Sequence, residues 1–263
     1  MSEELPQDIL TIPTQFVRQR NSLFAVADFG PLYVDYYLHL KDNRIEISPE
    51  HDAMLKDALA AFSLHCVSRP HNEIVAWTVN FQDPLLNLFL AGENRDGSVV
   101  GRIFTENIKK ADDNVFYQDL IRGTKPVHRS IVSFKEGDIF FAVEEYYRQS
   151  EQRPARLFRL GGEKYAIVTA HPDYDEEWFE SLTTDDIKLF DEKEELNTLE
   201  VRPVRWNCGC NHARILRTLL PVWHQDKDEL FLGEELIEVN CPRCAAKYRV
   251  SRESMEAFAN DQK

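Results

Sequence analysis

The chain has 263 residues, 43% hydrophobic and 29% charged, with 31 Lys+Arg against 45 Asp+Glu and a net charge of -14. That length allows one large domain or two smaller ones with a real core. The acidity disfavours a general nucleic-acid binder, which needs a basic surface, and no apolar run approaches the roughly 20 residues needed to cross a bilayer.

Met1–Asp8 is acidic and lacks the basic and apolar regions of a signal peptide, so a cytoplasmic protein is expected. Leu23–Val34 reads as a strand, with Gly30-Pro31 as a break. Pro49–Val67 has Met54, Ala58, Ala61, Phe62 and His65 at helical steps, the pattern of a helix with one buried face. Ile74–Phe81 and Leu85–Ala91 read as strands joined at Gln82-Asp83-Pro84. Asn94-Arg95-Asp96-Gly97 is a turn before a strand at Val99–Phe104, and Val127–Phe134 is another strand. Asp138–Gln149 reads as a helix with Asp138 as N-cap. Leu157–Leu160 and Tyr165–Thr169 form a hairpin around Gly161-Gly162.

Asp173–Glu200 holds twelve acidic residues and two lysines. It keeps Trp178, Phe179, Leu182, Ile187, Phe190, Leu196 and Leu199, several of them three apart. Thr183 with Asp186 forms a variant capping box. Short amphipathic helices held on the body by a thin apolar stripe are expected, with like charges opposing that state by a few tenths of a kcal/mol per pair. The alternative is an ordinary solvated acidic linker.

Four of the five cysteines lie in the nearly neutral tail, as Cys208-Gly209-Cys210, thirty intervening residues, then Cys241-Pro242-Arg243-Cys244. In a reducing compartment such pairs point to metal or redox chemistry rather than a disulfide scaffold. Two pairs on two turns suit tetrahedral zinc, four thiolates at about 2.3 Å closing the shell. An iron–sulfur cluster is less suited to so small a module. Between the pairs, Ala213–Leu220 reads as a helix stopped by Pro221. Glu235–Val239 and Ala246–Val250 read as paired strands, and Ser251 caps a last helix carrying Met255 and Phe258. A module of this size is marginal alone, and zinc supplies on the order of 10–16 kcal/mol in small zinc modules. Zinc-bound thiolates stay nucleophilic toward peroxide, so the module is a candidate redox switch. His212 and His224 read as surface or packing residues, and Cys66 as a buried structural thiol. The body shows no phosphate loop, no G-x-S-x-G and no H-E-x-x-H, and no catalytic constellation.

The tail resembles the 33-kDa heat-shock chaperone family, the redox-regulated holdases. A second motif agrees: Glu145-Tyr146-Tyr147-Arg148-Gln149-Ser150-Glu151-Gln152-Arg153-Pro154, followed by Leu157-Phe158, looks like that family's helix ending in Ser-Glu-Gln. The resemblance implies an α+β fold in three parts. These are a mixed α/β chaperone body at 1–172, a short helical acidic linker of marginal stability at 173–205, and a small zinc-binding redox-switch module at 206–263. It implies one Zn2+ per chain in the reduced form, held by Cys208, Cys210, Cys241 and Cys244. On oxidation it implies the disulfides Cys208–Cys210 and Cys241–Cys244, zinc release, a homodimer, and ATP-independent holding of unfolding client proteins. Departures lie in residues 20–110, where glycine-rich motifs are thinned to a stretch such as Gln82-Asp83-Pro84-Leu85, and in a connector shorter than usual.

The expected function is thus a stress-responsive holdase that is not an enzyme and binds neither nucleic acid nor membrane. Three rivals remain at this point. One is a constitutive protein-binding module with a purely structural four-cysteine zinc site. Another is an enzyme using zinc as Lewis acid, which needs an open coordination position that four cysteines close. The last is a zinc-ribbon nucleic-acid binder, which the charge disfavours.

Overall fold

Ten strands form one continuous sheet. This computed structural model describes residues 9–123, 125–135 and 137–261, so the Met1–Asp8 stretch lies outside it. The elements in chain order begin with β1 (Leu10–Val17), β2 (Ser22–Asp28), α1 (Gly30–Asp42) and α2 (Pro49–Val67). β3 (Glu73–Gln82), β4 (Leu85–Glu93), β5 (Ser98–Phe104), β6 (Asn114–Arg122) and β7 (Lys125–Phe134) follow. Next come α3 (Ile139–Tyr146), which ends in a wide π-type turn at Tyr147–Glu151, and the hairpin β8 (Ala155–Gly161) and β9 (Lys164–Ala170). Three short helices, α4 (Glu176–Ser181), α5 (Thr184–Lys188) and α6 (Phe190–Lys193), lead to β10 (Leu196–Trp206). The tail holds α7 (His212–Gln225), α8 (Lys227–Phe231), β11 (Leu236–Asn240), β12 (Lys247–Ser251) and α9 (Arg252–Asp261). The fold is mixed α+β, as expected. Among the described residues, no helix is long and apolar enough to cross a membrane.

The sheet order is β7-β6-β3-β4-β5-β10-β1-β2-β9-β8, with β11-β12 as a separate pair. Two antiparallel halves meet at β10, which pairs with β1 along nearly its whole length and with β5 in parallel only at Arg205–Ser98 and Trp206–Val99. Gly97 makes this seam possible: its φ is +70°, and a Cβ there would lie 2.0 Å from the Pro203 carbonyl oxygen. Helix α2 is capped by Ser48, whose hydroxyl accepts from the His51 amide, and is more deeply buried than one apolar face predicts. Every position from Ala58 to Val67 is buried, because the helix threads between the sheet and α3.

Three readings of local sequence are corrected. The strand at Leu23–Val34 ends at Asp28, and Pro31 starts α1 rather than breaking a strand. Proline's fixed φ suits a first helical turn, where its missing N–H costs nothing. Pro221 does not stop α7, which continues through it to Gln225. The extra turn buries Trp223 against Phe231, ring centroids 5.8 Å apart, and burying a large ring offsets a lost helix hydrogen bond. Leu196 and Leu199 stand three apart yet lie on a strand, with Leu199 exposed.

The acidic segment is folded in its first part as expected. Asp175 caps α4 and Thr183 with Asp186 makes the capping box of α5. The acids cluster in the first turns, Glu176 and Glu177, Asp185 and Asp186, Asp191 and Glu192, where helix dipoles favour negative charge. Phe179, Leu182, Ile187 and Phe190 are buried against Phe24, Phe158 and Val168. Arg156 donates to the carbonyls of Phe179, Glu180 and Leu182, closing the end of α4.

Candidate metal centre

The two cysteine pairs are shaped by their turns. Asn207 Oδ1 accepts from the Gly209 amide at 3.0 Å, and Gly209 takes a φ of +64°, which turns the chain sharply between Cys208 and Cys210. Asn211 then caps α7 by accepting from the Arg214 amide. The second pair closes the β11–β12 hairpin. The Cys241 amide donates to the Ala246 carbonyl at 2.8 Å, and the Ala245 amide to the Cys241 carbonyl at 2.9 Å, with Ala245 at a φ of +63° that its Cβ makes costly.

All four sulfur atoms lie within 4.8 Å of one another, a group able to hold a metal ion. The short edges run between the motifs: Cys208 Sγ to Cys241 Sγ is 3.7 Å, and Cys210 Sγ to Cys244 Sγ is 3.5 Å. A tetrahedral shell with metal–sulfur bonds of about 2.3 Å has edges of about 3.8 Å, so the spacing fits. Cys241 and Cys244 are buried and Cys208 and Cys210 half-buried. Hydrogen bonds from the Cys208 and Cys244 thiols hold Cys241 well below the usual thiol range. Four sulfurs at this spacing are a donor set suited to a metal cation.

Residues outside the motifs, and Arg243 within the second one, hold the cluster in place, and sequence patterns did not reveal these roles. His39 of α1 donates through Nε2 to the Cys244 carbonyl at 2.8 Å, and Arg102 of β5 to the Cys241 carbonyl at 3.0 Å. Tyr248 donates to Cys210 Sγ at 3.1 Å, and Arg243 to the Cys208 carbonyl at 3.2 Å. Tyr248 had one available signal, its alternation with the buried Val250 on the strand beside the second pair. His39 and Arg102 had none. The cysteines also join an apolar cluster with Ile215, Trp223, Phe231 and Met255 that continues into Ala91 and Val100 of the body sheet.

His212 is exposed and meets the Arg249 carbonyl at 3.2 Å, and His224 is exposed, so neither joins the sulfurs. Cys66 is buried in the body core, and burial pushes its thiol up, leaving it protonated at neutral pH. Glu151 of the Ser-Glu-Gln stretch is structural: it accepts from Arg69 at 2.9 Å and from the Tyr146 hydroxyl.

The fold and site define an α+β protein that ends in a small four-cysteine module seated on a large sheet. Residues 162–251, spanning the acidic helices and both cysteine pairs, match the Hsp33 protein family model. The chain is 25% identical over 160 residues to the 33 kDa chaperonin of Nitrosococcus oceani, covering 52% of this chain and 55% of that protein. It is 28% identical over 168 residues to the 33 kDa chaperonin of Caldanaerobacter subterraneus subsp. tengcongensis, covering 53% and 57%. It therefore aligns with little more than half the length of these curated relatives. The crystal structure of the 33 kDa chaperonin (HSP33) of Thermotoga maritima superposes with a TM-score of 0.73 at 18% identity, covering 96% of this chain and 98% of that one, which shows a shared fold. The family model and the curated proteins point the same way: this chain is similar to the 33 kDa chaperonins over about half its length, and it shares the fold of one of them.

Proposed function

We propose that this protein is a redox-regulated, ATP-independent holdase chaperone of the cytoplasm that binds unfolding proteins under oxidative stress. The observation carrying this is positional. The sulfur cluster begins two residues after β10, the strand that joins the two halves of the body sheet. Whatever holds the cluster therefore holds one end of β10 and, through it, the acidic helices. The names of the relatives, all chaperonins, support a binding protein rather than an enzyme.

In this proposal Cys208, Cys210, Cys241 and Cys244 bind one Zn2+ per chain in the reduced form, which supplies charge balance and ties the module's two turns together. The chain divides into a body at 1–172, a connector at 173–205 and a module at 206–263. Peroxide takes two electrons from each thiolate pair, forming Cys208–Cys210 and Cys241–Cys244 disulfides, and each peroxide, with two protons from solvent, is reduced to two waters. Ligands are then lost, the module loosens, and apolar residues beneath it become available to clients and to a second copy of the chain. The deciding experiment follows client aggregation with reduced and oxidised protein while metal release is measured in the same tubes. Activity only after release supports the switch. Equal activity of the reduced protein rejects it in favour of a constitutive binder with a structural zinc, which the insertion of β10 deep in the sheet favours.

A further inference from the structure

A pocket of about 140 Å³ opens beside the sulfur cluster. One wall is a single face of α7, which brings Ile215 and Leu219, four positions apart, to the same side. Val239 of β11 and Pro242 of the second cysteine turn stand in the other wall. Cys208, Cys210 and Cys241 also line the pocket, and the first two are only half-buried. Three of the four cysteines therefore border one space.

The accessible lining is almost wholly apolar. Among the described residues no carboxylate lines it, whereas Arg214 and Arg243 do. Each arginine is tied back to the first cysteine turn, Arg214 to the Gly209 carbonyl at 3.3 Å and Arg243 to the Cys208 carbonyl at 3.2 Å. They give the pocket its charge, and the apolar wall gives it its hold on a ligand. The volume is below the roughly 300–1,000 Å³ of drug-sized sites, which limits the occupant to a few carbons. Each methylene buried on such a wall is worth a factor of about four in binding. Hydrogen peroxide has no carbon and gains nothing there.

We propose that this pocket admits a small alkyl hydroperoxide, its carbon body on the apolar wall and its peroxide end at the sulfurs, so that the cluster reacts with organic peroxides in preference to hydrogen peroxide. This rests on the redox reading of the cluster given under the proposed function. A thiolate lining the pocket attacks the terminal peroxide oxygen. An S–O bond forms, the O–O bond breaks, and the alkoxide leaves and takes a proton from solvent to become the alcohol. The other thiolate of the same pair then displaces hydroxide from the sulfenic acid, forming the disulfide, and the hydroxide takes a second solvent proton. Each pair thus gives two electrons to one hydroperoxide, which becomes one alcohol and one water. The two guanidinium groups favour the negative charge that develops on the leaving alkoxide.

The test mixes the reduced, metal-loaded full chain with tert-butyl hydroperoxide or with hydrogen peroxide and follows thiol loss and transfer of the metal to a chromogenic chelator. Each rate is divided by the rate of the same peroxide with a free small thiol, which removes the peroxides' own difference in reactivity. The alkyl rate so corrected should exceed the hydrogen peroxide rate by about tenfold. Leu219→Ala removes apolar wall at a half-buried helix position, and Val239→Thr exchanges a wall methyl for a hydroxyl. Each should lower that preference by about threefold or more at unchanged starting metal content. No preference, while hydrogen peroxide still oxidises the thiols, overturns the pocket and leaves the switch standing. A preference that neither variant lowers also overturns the pocket. Oxidation by neither peroxide overturns the pocket and the redox reading together.

Discussion

The Phe190 ring lies 4.3 Å, centroid to centroid, from the Phe24 ring, and both are almost fully buried. A residue of the most acidic segment is thus seated in the core of β2 and its neighbours. Phe190→Ala should cost about 3–5 kcal/mol of local stability, since truncating a buried phenyl leaves a cavity. The short helices α4–α6 carry few other anchors, so the segment should become open to protease while the four thiols keep their metal. Limited proteolysis and metal content on one reduced sample check this, and protection equal to wild type would remove Phe190 as an anchor. Under the proposed function, stronger suppression of client aggregation by that sample would further tie client binding to this segment.

Arg20 closes the base of the same segment. Its guanidinium donates to Asp175 at 2.5 Å and Glu194 at 3.3 Å and lies 5.3 Å from the centre of the Trp178 ring, whose N–H donates to Glu194 at 2.7 Å. These pairs are about a third exposed on the arginine side, so screening limits their worth. Arg20→Ala should loosen the segment by about 1 kcal/mol, less than Phe190→Ala, and the effect should shrink in high salt. Proteolysis rates across a salt series measure it, and a salt-independent loss would mean packing on Trp178 dominates.

Metal content separates the two classes of cysteine. Cys241→Ser should abolish tight binding, because one ligand is lost from a closed set of four. Cys66→Ser should leave binding unchanged, and the native Cys66 thiol should resist alkylation, since it is buried and protonated. Full occupancy in Cys241→Ser would remove that residue from the ligand set.

His65 gives a pH signature. It is fully buried against Trp77 and Tyr147, and burial first, then the charges of Arg69 and Arg153, hold its pKa well below the ordinary value. A histidine kept neutral in the fold and free to charge when unfolded contributes stability above the unfolded pKa of about 6.5. That contribution is lost as pH falls below this value toward the folded pKa. Denaturant midpoints should therefore drop between neutral and mildly acidic pH, and His65→Gln should flatten that drop. An identical slope in the variant would assign the acid sensitivity to carboxylates.

Periodic and punctuated elements were legible from residues alone. Helix α2 stood out because Ser48-Pro49 starts a long run of helical spacing, and the β3–β4 and β8–β9 hairpins because turn residues separate apolar runs. The four-cysteine cluster was legible because each pair is fixed by local turns that contain both members. Three strands escaped, β1, β6 and β10. In β1, Pro13 and the buried Thr14 disguise the pattern, and in β6 the inward position of Gln118 is polar because it accepts from Trp77.

What the sequence by itself determined was the four-cysteine set, the starts of α2, α3 and α5 and the charge of the connector, all of which depend on neighbours within a few positions. Only the tertiary structure decided that Leu196–Trp206 is a strand between β1 and β5, since pairing partners lie far away in the chain. The same holds for His39 and Arg102 at the cysteine turn. Each of these rests on contacts between residues about a hundred or more positions apart, which only long-range folding brings together and no local spacing encodes.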